Sequence, residues 1–221
     1  MATKPGKLGQ LAVLLLISLL LTCSCQSLSV LGSEPSDSKA TTMAQWKKVF
    51  RRHLPQGAFL IEPSQAGVKS PPPPLIQHAD LDNDGEPELI AGYRLGENTV
   101  GILVLKRVDS NWRKLWETRG AGPGLALLQP TDVTGDGTLE LLVGWGLSNE
   151  AGNQLNIVTF QEEIRVLAEQ AYHRLDILDL PSDYGQDGKA ELAIWNREQE
   201  STYEVEVYRF YQQQLVPAVD T

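Results

Sequence analysis

Hydrophobic and polar positions along the chain fall into three regimes. Residues 11–21 form one block, apolar apart from Ser18, behind a short start that carries Lys4 and Lys7. The block is shorter than the roughly 20 residues that a membrane-spanning helix needs. Residues 42–54 (TMAQWKKVFRRHL) change the pattern: Met43, Trp46, Phe50 and Leu54 recur at helical spacing, Thr42 can cap the start and Pro55 stops it. The spacing predicts an amphipathic helix over 42–54, with Lys47, Lys48, Arg51 and Arg52 on its polar side. From residue 55 to 221 the apolar runs become short and turn-bounded, which predicts strands over residues 57–63, 88–95, 100–107, 139–145, 155–160, 191–195 and 203–211. Turn residues cluster at 96–98, 109–111 and 149–153, and four prolines at 71–74 read as a stiff extended lead-in. Residues 161–172 fit either a helix or a strand. All-β is the class this pattern predicts.

Composition narrows the picture. A hydrophobic share of 42% and a charged share of 21% are ordinary for a globular protein, and exclude a multi-span membrane protein and a wholly disordered chain. The basic start, short apolar block and small residues behind it read as a secretory signal over residues 1–25, the alternative being an uncleaved membrane anchor. Both cysteines, Cys23 and Cys25, sit directly behind the block, so the rest of the chain has no internal disulfide. Their position resembles the lipobox of bacterial lipoproteins. Cys25 follows the small Ser24, whereas Cys23 has Leu20 at the aliphatic position. The resemblance implies lipid modification at Cys25, or alternatively at Cys23, and anchoring at the outer face of the bacterial cytoplasmic membrane. Ordinary secretion with two incidental cysteines is the other reading. Residues 26–41 are Ser-rich with little to bury and read as a flexible tether. The basic side of the helix would then rest on anionic headgroups or face solvent.

Without Lys4 and Lys7, 17 Lys plus Arg stand against 28 Asp plus Glu, a balance of −11. So acidic a domain is a poor partner for nucleic acid and a better one for cations.

Much of that acid lies in an internal repeat: DLDNDGEPELIAGY from Asp80, DVTGDGTLELLVGW from Asp132 and DYGQDGKAELAIW from Asp183, with starts 52 and 51 residues apart. Each copy has Asp at positions 1 and 5, Gly at 6, Glu at 9 and Leu at 10, then an aromatic: Tyr93, Trp145 or Trp195. Calcium takes six to eight oxygen ligands, and a tight loop with oxygens at positions 1, 3 and 5 can aim them at one centre. Gly at position 6 permits the sharp turn that brings the position-7 carbonyl inward. The opening is shared with the EF-hand, but the Glu that motif needs at position 12 is replaced by Ala91, Val143 and Ile194, and strands follow instead of a helix.

Glu at position 9 followed by Leu and a strand resembles the FG-GAP/VCBS repeats of integrin-type β-propellers, over roughly residues 75–218. The resemblance implies calcium held between strands of a blade. It would use Asp80, Asp82, Asp84, the Glu86 carbonyl and Glu88 in the first loop, and Asp132, Thr134, Asp136, the Thr138 carbonyl and Glu140 in the second. In the third, Gly185 at position 3 leaves only Asp183, Asp187, the Lys189 carbonyl and Glu191. The alternative is that these are acidic turns whose carboxylates accept backbone N–H bonds without metal. The fold implied is three four-stranded blade-like repeats in a partial or open β-propeller, preceded by the helix. Closed propellers typically have at least four blades. Self-association could complete this one, or the strand at 57–63 could cap one end.

The three histidines, His53, His78 and His173, have no metal-ligand spacing, and no nucleophile elbow, phosphate loop or dinucleotide fingerprint occurs. Residues 120–124 (GAGPG) precede a strand, not the helix that phosphate binding uses. Trp112, Trp116, Trp145 and Trp195 are expected to fill blade cores. The sequence therefore predicts a non-enzymatic, calcium-stabilised binding or scaffold module with a protein or cell-envelope ligand. The competing reading is a surface carbohydrate-binding or hydrolase domain with an acidic cleft.

Overall fold

A computed structural model describes residues 36–61, 76–120, 122–148, 150–180, 188–199 and 202–218. The expected signal, both cysteines, residues 26–35 and the proline run lie outside the described residues. The chain divides into two compact units, Met1–Thr42 and Met43–Thr221. No helix among the described residues is long and apolar enough to cross a membrane.

Helix α1 spans Ser36–Arg51. Residues 36–41, placed by the sequence at the end of the tether, are helical. Ser and Asp are favoured at helix starts, where they can satisfy free N–H groups and the positive end of the helix dipole, and Ala40 is the best helix former of all. The helix also stops before Leu54. The Arg52 and His53 N–H groups bond back to the carbonyls of Val49 and Phe50 at 3.1 and 2.8 Å as the last turn tightens. Pro55 disfavours helical backbone in the residue before it.

Thirteen strands follow among the described residues: β1 (Ala58–Ile61), β2 (Ile76–Ala79), β3 (Glu88–Leu95), β4 (Thr99–Val108), β5 (Asn111–Arg119), β6 (Gly124–Thr131), β7 (Glu140–Ser148), β8 (Gly152–Thr159), β9 (Arg165–Tyr172), β10 (Arg174–Leu178), β11 (Glu191–Gln199), β12 (Thr202–Tyr211) and β13 (Gln214–Pro217). Residues 161–172, undecided from the sequence, end in strand β9. Every pairing is antiparallel between neighbours, giving sheets β6-β7-β8-β9 and β10-β11-β12-β13 and a first sheet β1-β3-β4-β5 with β2 also on β3. The extra strand disappears on inspection of the register. β2 pairs with the first half of β3, ending at Ile76↔Ala91, and β1 with the second half, beginning at Ile61↔Gly92. The two lie end to end as one outer strand interrupted by residues 62–75. Among the described residues all three sheets are thus four strands wide, and none closes into a barrel. The strand within residues 57–63 completes the first sheet; it does not cap an end.

The strands after the first two acidic loops are apolar on both sides because the first and second sheets each pack on two neighbours, while the third packs on the second through one face. Ile90, Ile102 and Val104 of the first sheet meet Leu128, Leu141, Val143 and Trp145 of the second. Leu127, Leu142, Leu155 and Ile157 turn the other way onto Leu175, Leu192, Ile194 and Phe210 of the third. Leu89, Ala91, Tyr93, Leu103 and Leu105 on the far side of the first sheet pack against Phe50, Met43, Trp46 and Val49 of α1. Each large aliphatic side chain buried this way contributes about 1.5–3 kcal/mol. Trp145 is buried in this core and Trp116 is edge-on to Phe160 with ring centroids 5.5 Å apart, but Trp195 sits on the other face of its sheet under Arg174.

Candidate functional site

The acidic loops are the connections that feed the second strand of each sheet, and in the first two the chain builds the same hydrogen-bond frame. The position-9 glutamate opens the strand and is fully buried: Glu88 is 0% exposed and Glu140 1%. Its carboxylate turns back across the loop to accept the backbone N–H of position 2, from Leu81 at 2.9 Å in one case and Val133 at 3.1 Å in the other. Leu81 and Val133 are themselves buried, so this bond fixes the loop floor. Asp80 accepts the Gly85 N–H and Asp132 the Gly137 N–H, both at 2.9 Å. Asp84 and Asp136 each accept the N–H two residues on, also at 2.9 Å. Gly85 and Gly137 have φ of +87° and +86°, a backbone that side-chain-bearing residues rarely adopt, which is why position 6 is glycine.

Beyond that frame the two loops part. In the second, Glu140 also accepts the Thr134 N–H and hydroxyl, both at 3.3 Å, and Asp136 accepts an amide proton from Gln161 at 2.9 Å. Among the described residues no carboxylate oxygen of that loop is buried and unpartnered. In the first, Asp80 Oδ1, Asp82 Oδ1 and Glu88 Oε1 are all buried with no hydrogen-bond donor. Asp80, Asp82 and Glu88 each bring one carboxylate oxygen within 4.8 Å of the others. Each of the three carboxylates is engaged through one oxygen, Asp80 by the Gly85 N–H, Asp82 by Lys106 and Glu88 by the Leu81 N–H, while its other oxygen is left without a donor, and an unpaired buried oxygen is costly.

One cation stands there already. Lys106, on β4, reaches across so that its Nζ contacts Asp82, lies 2.7 Å from Asp84 and 3.7 Å from Glu88. Burial works against the ammonium, but its hydrogen bonds to Asp82 and Asp84 prevail and hold its pKa well above the usual lysine value. The Lys106 hydrogen bond correspondingly holds Asp84 below the ordinary carboxylate range. Burial pushes Glu88 upward despite the Leu81 N–H, and the charges of Asp82 and Asp84 add to the rise. Glu140 is also pushed up by burial, against the N–H groups of Val133 and Thr134.

Of the residues singled out from sequence, Asp80, Asp82, Asp84 and Glu88 come together, with Glu86 exposed at the loop tip. Asp132, Thr134, Asp136, Thr138 and Glu140 also come together, as a hydrogen-bonded knot. Asp183 and Asp187 lie outside the described residues. Glu191 accepts the Leu180 N–H at 2.9 Å, and Lys189 donates from Nζ to the Phe210 carbonyl. The Ala190 N–H bonds the Asp132 carbonyl at 2.9 Å, tying the third loop to the second.

Beside the second loop a cleft of about 480 Å³ is lined by Asp136, Glu140, Glu162, Glu163 and Arg165, with Phe210 reaching in from the third sheet. Compared with known proteins, the chain matches no protein-family model, and no curated protein matches it.

Proposed function

We propose that this chain is an exported, lipid-anchored scaffold or binding module of the bacterial cell surface, built as a partial FG-GAP/VCBS-type propeller and stabilised by calcium in its first loop. The observation that carries the metal part is the triad of Asp80, Asp82 and Glu88, which bring one carboxylate oxygen each within 4.8 Å of the others and each keep one buried, undonated oxygen, hard ligands of the kind calcium selects. Three sheets in sequential order, packed face on face with a repeated loop at the same connection, support the propeller-like reading. The anchor rests on the basic start, the apolar block and Cys25 or Cys23 in the sequence. In this reading the ion is structural: it relieves repulsion among carboxylates and ties the loop to strand β3. Catalysis is not part of the proposal: the carboxylates of the first two loops are engaged by the loops' own N–H groups and by Lys106, Thr134 and Gln161.

The competing reading, an acidic cleft acting on a carbohydrate, draws on the space beside the second loop. Asp136 and Glu140 there are already engaged by Thr138, Gln161, Val133 and Thr134, which ranks that reading second.

Thermal unfolding tests the proposal. At ten times its dissociation constant, calcium adds about 1.4 kcal/mol, and a chain of this size should melt roughly 3–6 °C higher than in chelator. In Asp82→Ala/Asp84→Ala the rise should vanish. Equal melting in calcium and chelator for the native chain would refute it.

A further inference from the structure

At position 3 the first loop carries a carboxylate where the second carries a hydroxyl, Asp82 against Thr134, and the strand opposite carries an ammonium where the other carries a hydroxyl, Lys106 against Thr159. The correspondence is one of register. β3 pairs Leu89 with Leu105, which sets Glu88 opposite Lys106; β7 pairs Leu141 with Val158, which sets Glu140 opposite Thr159. Where the position-3 residue is a hydroxyl, the loop satisfies itself through hydrogen bonds. Where it is an aspartate, a lysine arrives from across the hairpin.

Lys106 does not saturate the loop. Glu88 is 0% exposed, and its Oε1 has no hydrogen-bond donor, with the ammonium 3.7 Å away. Asp80 Oδ1 and Asp82 Oδ1 are likewise without donors. An ammonium offers three donors and one charge, whereas a calcium ion in the same loop would meet six or more oxygens with two charges. The two cannot share Asp82 and Glu88, because each needs the space between those oxygens. The lysine is also able to leave: its side chain is 20% exposed, on a flexible four-carbon stem.

We propose that Lys106 is the resident counter-ion of the first loop, and that a divalent cation enters by displacing its ammonium from Asp82, Asp84 and Glu88. This rests on the calcium reading above and adds the residue that sets its threshold. With Lys106 in place the loop stays closed and ordered when the ion is scarce. Calcium occupies it only at the high concentrations, about 10⁻⁴–10⁻³ M, at which extracellular modules work.

The test is calcium titration of the full-length chain by calorimetry, with melting followed by circular dichroism, for the native protein, Lys106→Met and Lys106→Arg. Lys106→Met should bind calcium at least tenfold more tightly than the native chain. It should also melt lower in chelator and recover that loss when calcium is added. Lys106→Arg, which keeps the charge, should bind no more tightly than the native chain. If the native chain and Lys106→Met bind calcium equally, the displacement is wrong and the calcium site stands. If neither binds, the calcium reading fails and takes the displacement with it. A Lys106→Met chain that is unfolded in chelator and not restored by calcium would also overturn the proposal, since the lysine would then be holding the sheet and not a cation's place.

Discussion

Glu117 on β5 reaches two strands of the first sheet through its side chain: the Tyr93 hydroxyl donates to Oε1 at 2.9 Å from β3, and Lys114 donates to Oε2 at 2.7 Å along β5 itself. The Lys114 bond, ahead of the Tyr93 bond, holds the Glu117 carboxyl below its ordinary value of 4.5. A carboxylate whose folded value is depressed stabilises the fold above its unfolded value, and that contribution is lost as pH falls through the folded one. Glu117→Gln should therefore flatten the acid side of the melting temperature against pH below about 4.5, with a small change at pH 7. A parallel acid limb in native and variant would show that the carboxylate is not linked to folding. Other residues differ in how far the sequence revealed them. Asp80, Asp84 and Glu88 stood out because one repeat spacing recurs three times. Lys106 did not, because it closes an apolar strand and resembles an ordinary solvated end. It could have been found by counting outward from the turn at 96–98, since equal steps from that turn lead to Glu88 on one side and Lys106 on the other.

Whole strands were legible where burial is two-sided. β3, β4 and β7 read as apolar runs because they occupy the middle of their sheets and feed two cores, while β11, also central, feeds one through Leu192 and Ile194. The outermost strands β5 (Asn111–Arg119) and β9 (Arg165–Tyr172) were not, because an edge strand with charged, half-exposed side chains has no strong period and guards against edge-to-edge pairing. The turn at Asp109 and Ser110, with φ of 50° and 66°, uses residues that tolerate this backbone. The equivalent turn before β13 places Gln212 and Gln213 at 47° and 63°, and no propensity rule marks two glutamines as a hairpin. β1 was visible as a strand but its place was hidden by the 62–75 interruption. Because Ile61 and Ile76 pair with adjacent residues of β3, joining them directly and deleting residues 62–75 should keep the fold. The shortened chain is expected to retain its circular dichroism spectrum and melt within a few degrees of the native one. Loss of cooperative melting would show that the two half-strands are not one strand.

Across the Met43–Thr221 unit the layers run from α1 through three sheets, each burying an apolar face on the next. The third sheet's far face ends the series, and there Arg174 lies 4.5 Å over Trp195, Arg197 5.7 Å over Tyr203 and Arg209 6.0 Å over Tyr211. Such a stack has no disulfide among its described residues and relies on its cores and on the loops that begin β3 and β7. The loops are not equal supports: the second is closed by hydrogen bonds, while the first keeps three buried oxygens without a donor. The direct measurement is calcium bound per chain, by equilibrium dialysis of the full-length protein at millimolar free calcium. About one ion per native chain is expected, and none in Asp80→Asn/Glu88→Gln. No bound calcium in the native protein, or an undiminished ion in that double variant, would contradict it.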